Sequence, residues 1–136
     1  MRDKLVTAAA VVVGLLVVPV LVLPHHSATI YDRDKQITLV GSVKEFKLIN
    51  PHPHLYFRVK DEAGKVVDWI GDSARAPSNW FNSGWGANSL KPGDTITITG
   101  APTKDGRPML QIQKIVTPDG KEWTEGAART PAAPRP

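Results

Sequence analysis

The sequence contains no cysteine. A disulfide framework, a thiol nucleophile and a thiolate metal site are therefore excluded, and packing alone must hold the domain together. A strong charge of one sign is also missing, because 17 Lys and Arg oppose 13 Asp and Glu, a formal net charge of +4. Both signs are interspersed along the chain, which is typical of an ordinary soluble surface. We therefore expect no nucleic-acid partner.

Signatures of catalysis are missing as well. The chain has no nucleophile elbow, no glycine-rich phosphate loop and no pair of acidic residues at a telling spacing. The acidic residues Asp72 and Asp94 are predicted to serve caps and turns. The sequence thus predicts a protein that is not an enzyme.

A long apolar run is present near the start, over residues 5–23, and it follows the charged residues Arg2, Asp3 and Lys4. As a helix this run would extend about 28 Å, which is close to the thickness of a bilayer core. The alternative is a cleaved export signal, but Pro24 before His25 makes a poor peptidase site. We expect residues 1–24 to be an uncleaved anchor in contact with membrane lipid. The rest would face the periplasm or cell exterior of a bacterial cytoplasmic membrane, whereas cleavage would release it into the periplasm.

Residues 37–55 organise the exported part. Apolar side chains occupy odd positions up to Val43 and even positions from Phe46 onward. A strand has a period of two, so this change of phase requires a bulge near Lys44–Glu45. Gly41 would ease the bend. In such a strand the odd positions face the core in the first part and the even positions face it in the second part. The strand can then belong to two sheets, as the first strand of a small closed barrel does.

The remaining elements complete such a barrel. Further strands are predicted over residues 55–60, 65–70, 95–100 and 109–116, with a short closing strand over 121–123. A short helix is predicted to begin near Pro77 and to end near Gly84. This order predicts a mainly β, five-stranded OB-like barrel, with an open meander sheet as the alternative.

The predicted domain limits follow from composition. The barrel domain spans residues 37–124, and a polar tether over residues 25–36 precedes it. Residues 125–136 form a tail rich in proline and alanine, which has nothing to bury and would be ordered only by a partner.

Several spaced motifs carry a family resemblance. They are the double histidine His25-His26-Ser27, Gly41-Ser42-Val43, the turn Asn50-Pro51-His52, Gly84-Trp85 and Leu90-Lys91-Pro92-Gly93-Asp94. In these motifs the chain resembles a family of small exported bacterial proteins of unknown function. The resemblance implies an exported location and a barrel fold, and it implies no particular activity.

Two histidines, His52 and His54, are the candidate metal ligands. They are two residues apart, so in an extended segment both imidazole rings would point the same way, an arrangement that suits zinc or copper. His25 and His26, or Asp32, could complete such a site if the tether folds back. If the chain were cleaved before His25, its new amine and ring could chelate copper together with His52. The alternative interpretation is a rigid turn whose histidines cap backbone groups at the barrel rim.

Five large aromatic residues allow two interpretations. They could form a stacking platform for bases or sugars, or they could close one end of the barrel as core residues. The residues are Trp69, Trp80, Phe81, Trp85 and Trp123. Their positions beside strands and the predicted helix favour core packing.

Together these observations predict a non-enzymatic binding or accessory module at the membrane. Its partner would be another membrane protein, with the module as a periplasmic-side subunit of a larger assembly. The alternative function is a periplasmic copper- or zinc-binding protein that uses His52 and His54 with the N-terminal histidines.

Overall fold

The computed structural model describes residues 30–126, which fold into a closed, mainly β barrel with one short helix. The strands are β1 (Ile37–Lys47), β2 (His54–Lys60), β3 (Val66–Ser73), β4 (Thr95–Pro102), β5 (Met109–Val116) and β6 (Glu122–Thr124), and the helix α1 is Pro77–Asn82. The predicted element order and the mainly β barrel with one short helix are confirmed, this architecture is consistent with the predicted OB-like fold, and β6 is the predicted closing strand.

The first strand bends as its sequence predicts. Residues 37–42 of β1 pair with β4, whereas residues 42–47 pair with β2. The register with β2 shifts between Val43 and Glu45, so the strand contains a bulge at the predicted change of phase. Gly41 permits the close approach of β2, because a Cβ at this position would lie 2.6 Å from the carbonyl oxygen of Arg58.

A short parallel seam closes the barrel. Strand β3 pairs with β2 along its whole length, but it pairs with β5 only through residues 70–73. Among the described strands, none pairs with the outer edge of residues 66–69. The barrel wall therefore has a gap beside the first half of β3.

Aromatic residues fill the end of the barrel under α1. The rings of Trp80 and Trp123 stack with centroids 3.8 Å apart and planes inclined by 7°, and Trp85 meets Trp80 edge-on at 6.0 Å. These three residues are buried, so the core interpretation holds for them. Ser73 fixes the helix, since its Oγ accepts a hydrogen bond of 3.1 Å from Trp80 Nε1. The same interpretation is wrong for Phe81, which is 57% exposed.

The chain before β1 is docked on the barrel from Ile30 onward. Tyr31 forms a bridge with Thr103, and the N–H of Asp32 donates to the carbonyl of Pro102 over 2.8 Å. Tyr31 is 3% exposed, so this part of the expected tether contributes to the core.

Within residues 30–126, no helix has the length and the apolar character needed to cross a bilayer. The predicted anchor over residues 5–23 lies outside the described residues, as do most of the predicted tail and both His25 and His26.

Candidate functional site

The outer face of β1, β2 and β3 carries a group of charged and titratable side chains that contact one another. Alternation along β2 sends Leu55 and Phe57 into the core and leaves the residues between them on the outside. His54, Tyr56 and Arg58 therefore line the outer face. In OB-like barrels, the face of strands 2 and 3 and the loops beside it are the usual place for ligands.

An outer pocket of about 300 Å³ lies on this face, beside the loop between β4 and β5. Tyr56, Ile70 and Met109 give it apolar walls, whereas Lys44 and Arg107 add cationic groups. A mixture of apolar area and a few charged groups is typical of a surface that recognises a ligand.

Asp68 holds the charges of the outer pocket in place. Its carboxylate lies 2.7 Å from Lys44 Nζ and 3.5 Å from Arg58 Nε. The hydrogen bond from Lys44 is the main cause that lowers the pKa of Asp68.

A second polar cluster joins three distant parts of the chain. The hydroxyl of Tyr31 donates to Asp72 Oδ2 over 3.1 Å, and Asp72 Oδ1 lies 3.3 Å from His54 Nδ1. Burial, followed by the nearby Asp72 carboxylate, raises the pKa of Tyr31 well above its usual range, so the hydroxyl keeps its proton. Asp72 Oδ1 is shielded from solvent, but it is not aligned for a hydrogen bond with the His54 ring and has no hydrogen-bond partner among the described residues.

The sequence did not identify this cluster. The prediction that Asp72 serves a cap or turn is wrong, because Asp72 lies inside β3, opposite His54. The prediction for Asp94 is correct, since its side chain accepts the N–H of Lys91 over 2.8 Å in a turn. The available signal for Asp72 was its position on the outward parity of a strand, next to the loop that holds the histidines.

The candidate metal ligands occupy different surroundings. His52 is exposed in the loop between β1 and β2, and His54 begins β2 and faces Asp72. Asp32 forms an ion pair of 3.1 Å with Lys35, and this contact is the main cause that lowers its pKa. Over residues 30–126, no three His, Asp or Glu side chains converge closely enough to hold a metal ion.

An inner pocket of about 490 Å³ lies where the barrel wall has its gap. Its apolar lining comes from inward-facing residues of three strands, namely Leu39, Val59, Val67 and Trp69. Pro108 and Trp69 line both this pocket and the outer pocket. The two pockets thus meet on either side of the first half of β3.

Several solved structures have a distantly similar fold. A structure of a tRNA fluorescent labeling enzyme is 18% identical, with a TM-score of 0.40 over 63% of this chain and 18% of that chain. Yeast Stn1 and Ten1 match with 17% identity and a TM-score of 0.41 over 60% of this chain and 42% of theirs. A ZRD-deleted mutant of TiaS in complex with agmatine matches with 19% identity and a TM-score of 0.42 over 73% of this chain and 24% of that chain.

This chain spans less than half the length of these three structures, and similarity at this level carries no argument about function. No curated protein sequence matches the chain. A family model does match, over residues 13–110, which is well over half of the sequence. The chain belongs to the family of unknown function DUF6152.

Proposed function

We propose that this protein is a non-enzymatic binding module that is exported, anchored in the membrane by residues 5–23, and joined to a larger membrane protein assembly. The outer face of β1–β3 is its recognition surface. His54, Tyr56 and Arg58 on this surface do not belong to the buried core cluster.

The outer pocket is the observation that carries this proposal. It combines apolar walls from Tyr56 and Met109 with cationic groups of Lys44 and Arg107, and it lies beside the loop that OB-like barrels use for ligands. Arg107 is held by a contact of 2.7 Å with Asp105, so the charged groups of the pocket are oriented before a partner arrives.

Copurification from native membranes tests the proposal. The full-length protein, extracted in mild detergent, should migrate as part of a larger complex, and a Tyr56→Ala, Met109→Ala variant should migrate alone. A variant with Phe81→Ala serves as control, because Phe81 is a large exposed apolar residue that lies on α1 and does not line the outer pocket. A wild-type protein that runs as a lone monomer and yields no cross-linked neighbour would contradict the proposal.

A second candidate function is the binding of copper or zinc, and the Tyr31–Asp72–His54 cluster favours it. Asp72 faces Nδ1 of His54, which leaves Nε2 of that ring available as a ligand. Tyr31, bonded to Asp72, brings the N-terminal chain beside this ring. His26 precedes Tyr31 by five residues, so an extended chain could carry it no farther than about 17 Å from Tyr31. The chain between His26 and Tyr31 is therefore long enough for His26 to approach the His54 ring.

Metal titration distinguishes this candidate from the first. Copper or zinc added to the full-length protein should fill one tight site, and a His52→Ala, His54→Ala double variant should lose it. An Asp72→Asn variant should bind the metal more weakly, because the negative charge beside the His54 ring is lost. Equal binding by the wild type and the double variant would refute the metal site while leaving the first proposal intact.

A further inference from the structure

Among the described residues, the backbone hydrogen-bonding groups on the outer edge of the first half of β3 have no partner strand. The N–H of Asp61 donates to the carbonyl of Lys65 over 2.8 Å. Asp61 and Lys65, which directly precede the paired residues of β3, are therefore a hydrogen-bonded pair of the β2–β3 hairpin. At the other end, the N–H of Ile70 points away from β2 and donates to Pro108 over 3.1 Å. In an antiparallel ladder these directions alternate, so the backbone N–H and C=O groups of Val66 and Asp68 also point away from β2.

No other described strand meets those groups. Strand β5 pairs with β3 only from Ile70 onward, and the preceding loop residues Gly106 and Pro108 line the inner pocket beside this edge without pairing with residues 66–69. Open strand edges invite the addition of another strand, and native proteins usually protect them. The side chain of Val66 is 56% exposed to solvent, so it does little to shield the backbone groups of this edge.

The two pockets lie on opposite faces of this edge. Val67 and Trp69 point inward and line the inner pocket, whereas Asp68 and Ile70 point outward and line the outer pocket. A strand added along the edge would direct its successive side chains alternately into the two pockets. Backbone hydrogen bonds with paired pockets for alternate side chains are the features of recognition by strand addition.

The charges around the edge indicate what the added strand carries. On the outer side, three cations, Lys44, Arg58 and Arg107, surround two anions, Asp68 and Asp105. These five groups on the outer side therefore carry one net positive charge, which favours an acidic side chain on the added strand. On the inner side, Leu39, Val59, Val67 and Trp69 form apolar walls, and the charged residues Lys60, Asp61 and Glu62 also line the pocket. The neighbouring positions of the added strand that meet the apolar walls should be valine, isoleucine or leucine.

We infer that β3 binds an extended segment of a partner protein by strand addition along Val66–Asp68, with apolar side chains in the inner pocket and an acidic side chain in the outer pocket. This inference rests on the proposed function and names the form of its partner. It differs from simple surface docking because the main chain of β3 takes part directly.

A peptide library provides the probe. Random twelve-residue peptides displayed on phage are selected on the full-length protein in detergent micelles, and the enriched peptides are synthesised and titrated. We expect apolar residues at every second position with an acidic residue between them. Binding should protect the amides of Val66 and Asp68 from hydrogen exchange.

Proline variants separate backbone pairing from side-chain contact. Asp68→Pro removes an N–H that points into the gap and preserves the groups that pair with β2, and proline is tolerated on such an edge. The Asp68→Pro variant should bind the peptide at least 10-fold more weakly than Asp68→Ala. Asp68→Ala is the matched control because it also lacks the carboxylate but keeps the backbone N–H. If Asp68→Pro does not fold, Val66→Pro and Val66→Ala form the equivalent pair at the first residue of β3.

Three results would overturn the inference. One is a selection without enriched peptides, and another is equal binding by the proline and alanine variants. The third is slow exchange of the Val66 and Asp68 amides in the peptide-free protein, since the edge would then already be occupied by the protein's own chain or a second copy. If Asp68→Pro still copurifies with a membrane neighbour that the Tyr56→Ala, Met109→Ala variant loses, the proposed function stands and strand addition is refuted.

Discussion

Replacing Trp123 by alanine should remove a large share of the stability of the barrel. This residue belongs to a strand of only three residues, yet its ring is 1% exposed and stacks on Trp80 at 3.8 Å. Truncation of a buried tryptophan costs about 3 to 5 kcal/mol, and the stacked pair contributes about 0.5 to 1.5 kcal/mol beyond its buried area. Because domains of this size unfold with about 5 to 15 kcal/mol, Trp123→Ala removes a large share of the stability.

Urea unfolding of the full-length protein in detergent, followed by far-ultraviolet circular dichroism, measures this loss. With a denaturant slope of about 2 kcal/mol per molar, a loss of about 4 kcal/mol lowers the midpoint by about 2 M. Trp123→Phe retains an aromatic ring and should lose less, which gives a measurable value if the alanine variant does not fold. Phe81→Ala is the control on the neighbouring helix and should change stability by less than about 0.5 kcal/mol. A loss of less than about 1 kcal/mol for Trp123→Ala would refute the role of the aromatic stack.

Two further predictions concern β1 and the docked N-terminal segment. Gly41→Ala should cost about 1 to 3 kcal/mol in urea unfolding, because its Cβ would lie 2.6 Å from a backbone oxygen of β2. Gly86→Ala is its control, since a Cβ there meets nothing within 4 Å, and equal stability of the two variants would contradict the packing at Gly41. Tyr31→Phe should lose about 1 to 3 kcal/mol at neutral pH with the hydrogen bond to Asp72. Because the pKa of Tyr31 is raised in the folded protein, its contribution to folding stability is fully present below about pH 10, which is its pKa in the unfolded chain. Above that pH the contribution is lost by up to about 1.4 kcal/mol per pH unit. The difference in stability between wild type and Tyr31→Phe should therefore shrink at alkaline pH, and a constant difference up to pH 11 would contradict the burial of the hydroxyl.

Local sequence patterns predicted the barrel because each strand carries its own signal. The isoleucines of β4 alternate with threonines, and Ile96 and Ile98 are buried as that pattern requires. The bulge in β1 could be predicted for the same reason, since a strand cannot change its inward parity without an extra residue. The helix was also predicted, but its six residues are too few to define an apolar face. Hydrophobic periodicity therefore could not predict that Phe81 is exposed.

The candidate site was harder to predict because it depends on pairs that are far apart in the chain. Tyr31 and Asp72 are separated by 41 residues, and only the docking of the N-terminal segment on β4 brings them together. The free edge of β3 is equally hidden, because it results from a parallel seam with β5 that covers only half of the strand. Hydrophobic alternation reports which face of a strand is buried, but it does not report which strand lies beside it.

Site-specific photo-cross-linking in native membranes tests directly whether the protein recognises its partner through the outer face of β1–β3. A photoreactive phenylalanine analogue is introduced at Tyr56 in the outer pocket and, as a control, at Pro118 in the exposed turn between β5 and β6. We expect one discrete cross-linked partner from position 56 and none from position 118. No cross-link from position 56, or the same products from both positions, would contradict it.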